Sequence, residues 1–258
     1  MQTEQFQLHH RMEETHWWFN ARREILKRLI RRLLPPQGQL IADIGCGTGG
    51  NLGALAADYR CFGWDPSEEA VKLARRKYPS VVFHTGPLEQ ALSSLPQPPD
   101  LILANDVLEH VEGDREFLSK LVELLNPGGH LLITVPAGME LWSPHDVNVG
   151  HFRRYTRPQL EKLWADEPVE ARLVSYFNAR LYPVVRCVRM LTRKTGRAAG
   201  EAQTDFKTPP APVNRLLERI FAGEASVLSD LLDHKRSNGF THGVSLIALL
   251  QKKEPIHA

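Results

Sequence analysis

Two stretches of the chain hold the residue types that chemistry needs. The first is Asp43-Ile44-Gly45-Cys46-Gly47-Thr48-Gly49-Gly50. Glycines this dense permit positive φ and close approach of the backbone to a ligand. Gly45, Gly47 and Gly50 satisfy G-x-G-x-x-G, a spacing that is weak alone and gains force in a strand-to-helix turn. An acid should follow about 20 positions on, to receive ribose hydroxyls. Asp65 does so, in Gly63-Trp64-Asp65-Pro66. Together they predict an adenosine-bearing ligand; the plainer reading is a tight turn whose Asp caps the next helix. Asp43 then selects among such ligands. A pyrophosphate at this turn would be repelled by its carboxylate, whereas an ammonium or sulfonium would be attracted. S-adenosylmethionine (SAM) carries both cations and no phosphate, so the charge argument prefers it to NAD.

The second stretch is residues 142–156, which hold Trp142, His145, Asp146, His151, Arg153, Arg154 and Tyr155. Three readings compete for its His and Asp residues. Two His and one Asp are enough ligands for a metal, but a six-residue separation does not put the His pair on one helical face, and no metal is expected. A His-Asp pair also fastens loops. As chemistry, His145 or His151 is a general base, since an imidazole titrates near neutral pH. Asp146 would orient one ring, and His145 is preferred because it is adjacent. Arg153 and Arg154 are candidate clamps for a carboxylate or phosphate. Trp142 and Tyr155 join them as candidate substrate-binding residues.

The elements that must position these residues alternate. Short apolar runs at 40–44, 61–64, 81–84, 101–104 and 130–135 read as strands. Helical patterns at 49–57, 68–77, 115–125 and 158–164 separate or follow them. Such alternation implies a mostly parallel sheet with helices on both faces. The 142–156 loop then follows the fifth strand, at the strand ends where ligands bind in open α/β sheets. Two more strands are predicted at 171–177 and 243–250, with helices at 181–194 and 213–233 between them.

Before the sheet, Ile25, Leu26, Leu29, Ile30, Leu33 and Leu34 recur at helical spacing among Arg22, Arg23, Lys27, Arg28, Arg31 and Arg32, up to Pro35-Pro36. This is an amphipathic helix with a basic face. His16, Trp17, Trp18 and Phe19 precede it, as an anchor on the sheet or as a lid over the pocket. Residues 196–212 are polar and Pro-rich and read as a mobile loop. The predicted organisation is an N-terminal lid and helix (1–38) and a main domain (39–258) with a helical substrate-side insertion (178–240).

Composition bounds the function. The 258 residues carry 32 Lys plus Arg against 30 Asp plus Glu, a net charge of +2, which argues against a dedicated nucleic-acid binder. Three cysteines, Cys46, Cys61 and Cys187, are too few for a disulfide scaffold and lack zinc spacing. Neither a leader nor a membrane-spanning run is read from the chain, so a cytoplasmic location is expected. The helix at 181–194 is basic and amphipathic. It either packs on the sheet or meets a membrane surface or lipid-linked substrate.

The motifs resemble those of class I SAM-dependent methyltransferases. Residues 41–49 look like the family's first motif and 63–67 like its second. Residues 99–111, including Asn105-Asp106-Val107-Leu108-Glu109-His110, resemble the fourth-strand segment, and 125–136 the approach to the fifth strand. The string His145-Asp146 with His151-x-Arg153-Arg154-Tyr155 is similar to one in members linked to polysaccharide or secondary-metabolite assembly. The resemblance implies a Rossmann-like sheet of seven strands, the last antiparallel. It implies Asp43, Gly45, Cys46 and Gly47 around the methionine part of SAM, with Asn105 near its end. Asp65 and Pro66 fall at the ribose and Leu88 near adenine, and Trp18 and Arg22 in a lid whose Arg meets the SAM carboxylate. Pro87 stands where many members have an Asp on the adenine amino group, so adenine must rely on backbone and apolar contacts. His110 is expected to be structural or a pocket wall. The implied activity is methyl transfer to an oxygen of a small-molecule or glycan-type acceptor, because a hydroxyl benefits from a base. An amine acceptor on a metabolite or peptide is the alternative, and a non-catalytic SAM- or NAD-binding module the third reading.

Overall fold

A computed structural model of the chain describes residues 3–254. Helices α1 (Thr3–Met12) and α2 (Trp17–Leu33) precede the first strand, β1 (Leu40–Ile44). There follow α3 (Gly50–Leu55), β2 (Arg60–Trp64), α4 (Glu68–Lys77), β3 (Val82–His84), α5 (Leu88–Ser93), β4 (Leu101–Asn105), α6 (Asp114–Leu124) and β5 (His130–Pro136). The remainder is α7 (Pro144–Val149), α8 (Arg157–Glu161), β6 (Val169–Phe177), α9 (Tyr182–Thr195), α10 (Ala211–Ala222), α11 (Ala225–Leu232) and β7 (Ser245–Lys252).

The strands form one seven-stranded sheet in the order β3-β2-β1-β4-β5-β7-β6. β1 to β5 run parallel, and β7 is antiparallel to both β5 and β6. Strands buried on both faces read as continuous apolar runs, and here alternate residues serve opposite layers. Ile41, Leu103, Leu132 and Ile247 pack with Ile25, Leu29, Phe221 and Leu228 of the helices on one face. Ala42, Ile44, Ile102 and Ile133 pack with Leu118, Leu121 and Leu160 on the other. Strand order reverses between β1 and β4, and a crevice outside the carboxyl ends of the strands is the place for a ligand in such a sheet.

Several elements differ from the sequence reading. α2 begins at Trp17, because the His16 ring accepts from the Trp18 N–H at 3.3 Å and caps it. Its apolar face is part of the main core. Its basic face is an ion-paired edge, with Arg28–Glu24, Arg31–Asp58 and Arg32–Asp233. The helix predicted over 213–233 is two, α10 and α11, broken where the buried Glu224 turns back to accept the Arg180 N–H at 2.9 Å. Residues 144–149 form the helix α7 within the expected loop, where Ser143 and Asp146 close a capping box around its first turn.

Residues 196–212 are not the free loop expected from their composition. Thr204 is fully buried, the Asp205 N–H donates to His145 Nδ1 at 2.9 Å, and Asp205 pairs with Arg189 at 3.2 Å. Phe206 sits among His9, His16, Trp18 and Phe19, with ring centroids 5.1–5.6 Å away. One aromatic residue with a prepared pocket offsets the polar, Pro-rich signal.

Candidate active site

The strand ends open into a cavity of about 590 Å³. Its wall collects residues from the end of nearly every strand: Gly45, Asp65, Asn105, Pro136, Asn178 and Ser245. Helices α1, α2 and α9 and the segment around Phe206 close it over.

On the β1 side the backbone turns through glycines with positive φ, +82° at Gly45 and +53° at Gly47. A Cβ on Gly45 would lie 2.5 Å from Val107 Cγ2, so a side chain there would have to displace Val107 as well as adopt the left-handed backbone. A Cβ on Gly47 would meet nothing within 4 Å; glycine there answers the left-handed backbone alone. Asp65 holds the turn in place. It accepts the Gly47 N–H at 2.8 Å and the Ser67 N–H at 2.9 Å, which leaves each oxygen a further lone pair. Burial raises its pKa against those two bonds. Cys46 and Pro66 also line the cavity, and burial, with Asp43 beside it, keeps the Cys46 thiol protonated.

Asp43 is buried at the end of β1 and lies off the cavity lining, behind Asn51, whose amide donates to it at 3.4 Å. Its other oxygen has no partner, and burial pushes its pKa up to about 7. Leu88 also lies off the lining, packed at the edge of the core. Trp64, Pro66 and Phe117 are among the apolar groups on the lining. Trp18 and Arg22 both line the cavity, with the guanidinium carbon 4.9 Å from the indole ring centroid. Arg22 pairs with Asp106 at 2.9 Å and donates to Thr134 Oγ1 at 3.3 Å, while its Nε has no partner.

The 142–156 segment is organised by Asp146. One oxygen meets His151 Nδ1 at 2.9 Å and Arg154 Nη1 at 2.7 Å. The other meets Arg189 Nη1 at 2.7 Å and the Ser143 N–H at 2.9 Å. Burial works against the charge, but the His151 bond and the two guanidiniums hold the carboxyl well below the usual range. The expected His145–Asp146 pairing is therefore replaced by His151–Asp146: five residues on, the chain has left α7 and turned back over its end. His145 lines the cavity but spends Nδ1 on the Asp205 N–H, and burial beside Arg189 keeps it neutral.

Three expected substrate contacts face elsewhere. Arg153 pairs with Asp114 at 2.6 Å and donates to the Glu112 carbonyl, and the buried Tyr155 donates to Asp114 at 2.7 Å. Trp142 ends a short 3-10 turn. None of the three lines the cavity. Arg154 does, but its guanidinium is consumed by Asp146 and by the carbonyls of Ala137, Gly138 and Val244.

Sequence reasoning missed Glu109, Asp106, Arg189 and Phe206. Glu109 is fully buried, neither oxygen has a hydrogen-bond partner, and burial with Asp106 nearby raises its pKa well above the carboxylate range. It stands 3.9 Å from His151 Nε2. The sequence signal existed, since Glu109 adjoins His110 in the fourth-strand motif.

A seven-stranded sheet of this order, a glycine turn after β1 and an acid after β2 define the Rossmann-like fold of SAM-dependent methyltransferases. Residues 17–178 match the family model described as a methyltransferase domain, and the chain belongs to that family. It is 29% identical over 232 residues to a protein of Mycolicibacterium smegmatis described as an S-adenosylmethionine-dependent methyltransferase, covering 86% of this chain and 83% of that one. It is 35% identical over 103 residues to trans-aconitate 2-methyltransferase of Methylobacterium nodulans, 39% of each chain. The solved structure of the plantazolicin methyltransferase BamL with a desmethylPZN analog and SAH shares the fold, with a TM-score of 0.58 at 15% identity over 97% of this chain and 91% of that one. The protein is a SAM-dependent methyltransferase, and SAM is its cofactor.

The residues present fit that cofactor. Both amide atoms of Asn105 and the Nε of Arg22, two residues of the lining, are buried without partners, and an ammonium and a carboxylate would complete them. When bound, SAM supplies an electrophilic methyl group on a sulfonium. Gly45, Cys46, Gly47, Asp65 and Asn105, all on the lining, are the groups that would hold it.

Proposed function

We propose that the protein methylates an oxygen atom of a small-molecule acceptor held between the glycine turn and α9. The observation that carries this reading is His151. Its Nδ1–H is held by the Asp146 carboxylate at 2.9 Å, and its ring lines the cavity. That leaves the Nε2 lone pair for a proton from the acceptor, the arrangement a hydroxyl needs and an amine does not. Asp146 orients the ring and does not itself accept the proton. Alignment of the acceptor oxygen with the methyl group supplies the larger share of the acceleration.

The remainder of the wall supports an acceptor with an apolar body. Leu181, Val184, Val185, Val188 and Leu217 line the side away from the glycine turn. Val184 and Val188 also stay exposed at the surface, which suits a chain or aglycone that projects out of the cavity, such as that of a lipid-linked acceptor. Among the described residues, no helix is long and apolar enough to cross a membrane.

The test is a panel of small acceptors bearing hydroxyl, carboxyl or amine groups on matched apolar skeletons, incubated with methyl-labelled SAM. Label on oxygen supports the reading. Label on nitrogen alone contradicts it and makes the amine reading the better one.

A further inference from the structure

We propose that Glu109, His110 and His151 form a binding site for a first-row divalent cation, with Zn²⁺ as the type. It deepens the oxygen-acceptor reading and rests on it for the ion's catalytic use, not for its binding.

The three ligand atoms lie within 4.8 Å of one another, and all three residues line the cavity. Each ring is anchored through its other nitrogen. His151 Nδ1 meets Asp146 at 2.9 Å, and His110 Nδ1 meets the Gly150 carbonyl at 3.2 Å. Both partners only accept, so Nδ1 carries the proton on each ring and Nε2 carries the lone pair. A metal-binding imidazole is held in this way, its second nitrogen donating to a carboxylate or carbonyl. The rings meet edge to face with centroids 4.7 Å apart.

Glu109 supplies the second observation. It is fully buried with neither oxygen hydrogen-bonded. The neighbouring carboxylates all have cations: Asp106 has Arg22, Asp146 has Arg154 and Arg189, and Asp205 has Arg189. Glu109 has no ion pair with a Lys or Arg within 4 Å among the described residues, and its nearest ionisable partner is His151 Nε2 at 3.9 Å. Ligands around tetrahedral Zn²⁺ stand about 3.3 Å apart, given bonds of about 2.0–2.1 Å. Small side-chain rotations close that difference. Two imidazoles and one carboxylate leave a fourth position open, as catalytic zinc sites do. An acceptor hydroxyl bound there loses its proton to solvent more readily than a free one. In the ion-free protein His151 Nε2 takes the proton; with the ion bound, the same lone pair is a ligand.

The full chain, stripped with a chelator, is titrated calorimetrically with Zn²⁺ and, by electron paramagnetic resonance, with Mn²⁺. One ion per chain is expected for Zn²⁺. Affinity should fall at least tenfold in each of Glu109→Gln, His110→Ala and His151→Ala, with circular dichroism and SAH binding retained. If Glu109→Gln does not fold, the half-buried His110 carries the test. Absence of Zn²⁺ binding, or binding that survives all the folded substitutions, overturns the proposal. A chelated protein that still methylates oxygen while binding no ion overturns the cation site and leaves the oxygen-acceptor reading intact.

Discussion

Asp146 is shared by two guanidiniums, an imidazole and the first turn of α7. Removing its charge leaves the buried Arg154 with carbonyls alone and Arg189 with Asp205 alone, and breaking such a buried pair costs up to about 3–5 kcal/mol. Asp146→Asn should therefore lower stability in urea by several times more than His151→Ala, whose ring is a single partner of the network. Asp65 differs, since its partners are backbone N–H groups of two turns. Asp65→Ala should weaken SAM by about 1.5–3 kcal/mol, the scale of hydrogen bonds to charged groups, and calorimetry on the folded variant checks it. Asp43 introduces a pH dependence. Its pKa of about 7 in the free protein means that it is largely protonated below neutrality. A cationic ligand favours the carboxylate, so binding expels a proton there. SAM affinity should rise with pH through about 6–7 and level off above, by at most about tenfold per unit. Asp43→Asn should bind weakly at every pH, without that slope.

At the scale of elements, α2 and the segment around Phe206 close the cavity together. Phe206 bridges α1 and α2 through its aromatic neighbours. Phe206→Ala should cost about 1–3 kcal/mol, below the 3–5 of a fully buried ring. It should also shift Trp18 emission to the red and reduce SAH affinity, read by fluorescence titration. Sequence patterning located the strands and the glycine turn well, because strands buried on both faces must be apolar and a left-handed turn must be glycine. It could not place Phe206, whose neighbours in sequence are polar while its ring neighbours in space are His9, His16, Trp18, Phe19 and His145. It misjudged the partner of Asp146 for the same reason: adjacency along the chain favours His145, whereas the turn out of α7 brings back His151. It passed over Glu109 because an acid in a motif reads as solvated until its burial is seen. Arg153 and Tyr155, expected as substrate contacts, lie off the lining, and a one-residue step between Arg153 and Arg154 separates them from the cavity.

Across the whole molecule the sheet order does most of the positioning. It brings the ends of β1, β2 and β4 to one side of the crevice and those of β5 and β6, with the start of β7, to the other. The groups proposed to hold the cofactor belong to the first set, and the apolar α9 residues, His151 and Glu109 line the same cavity. The pH–rate profile of methyl transfer to a hydroxyl acceptor, for wild type and His151→Ala at saturating SAM, tests this arrangement most directly. An ascending limb is expected in the wild type and is absent from the variant. Turnover should fall by about a hundredfold or more, the scale of a general base, with SAM affinity nearly unchanged. A variant that keeps wild-type turnover and the same ascending limb would contradict it.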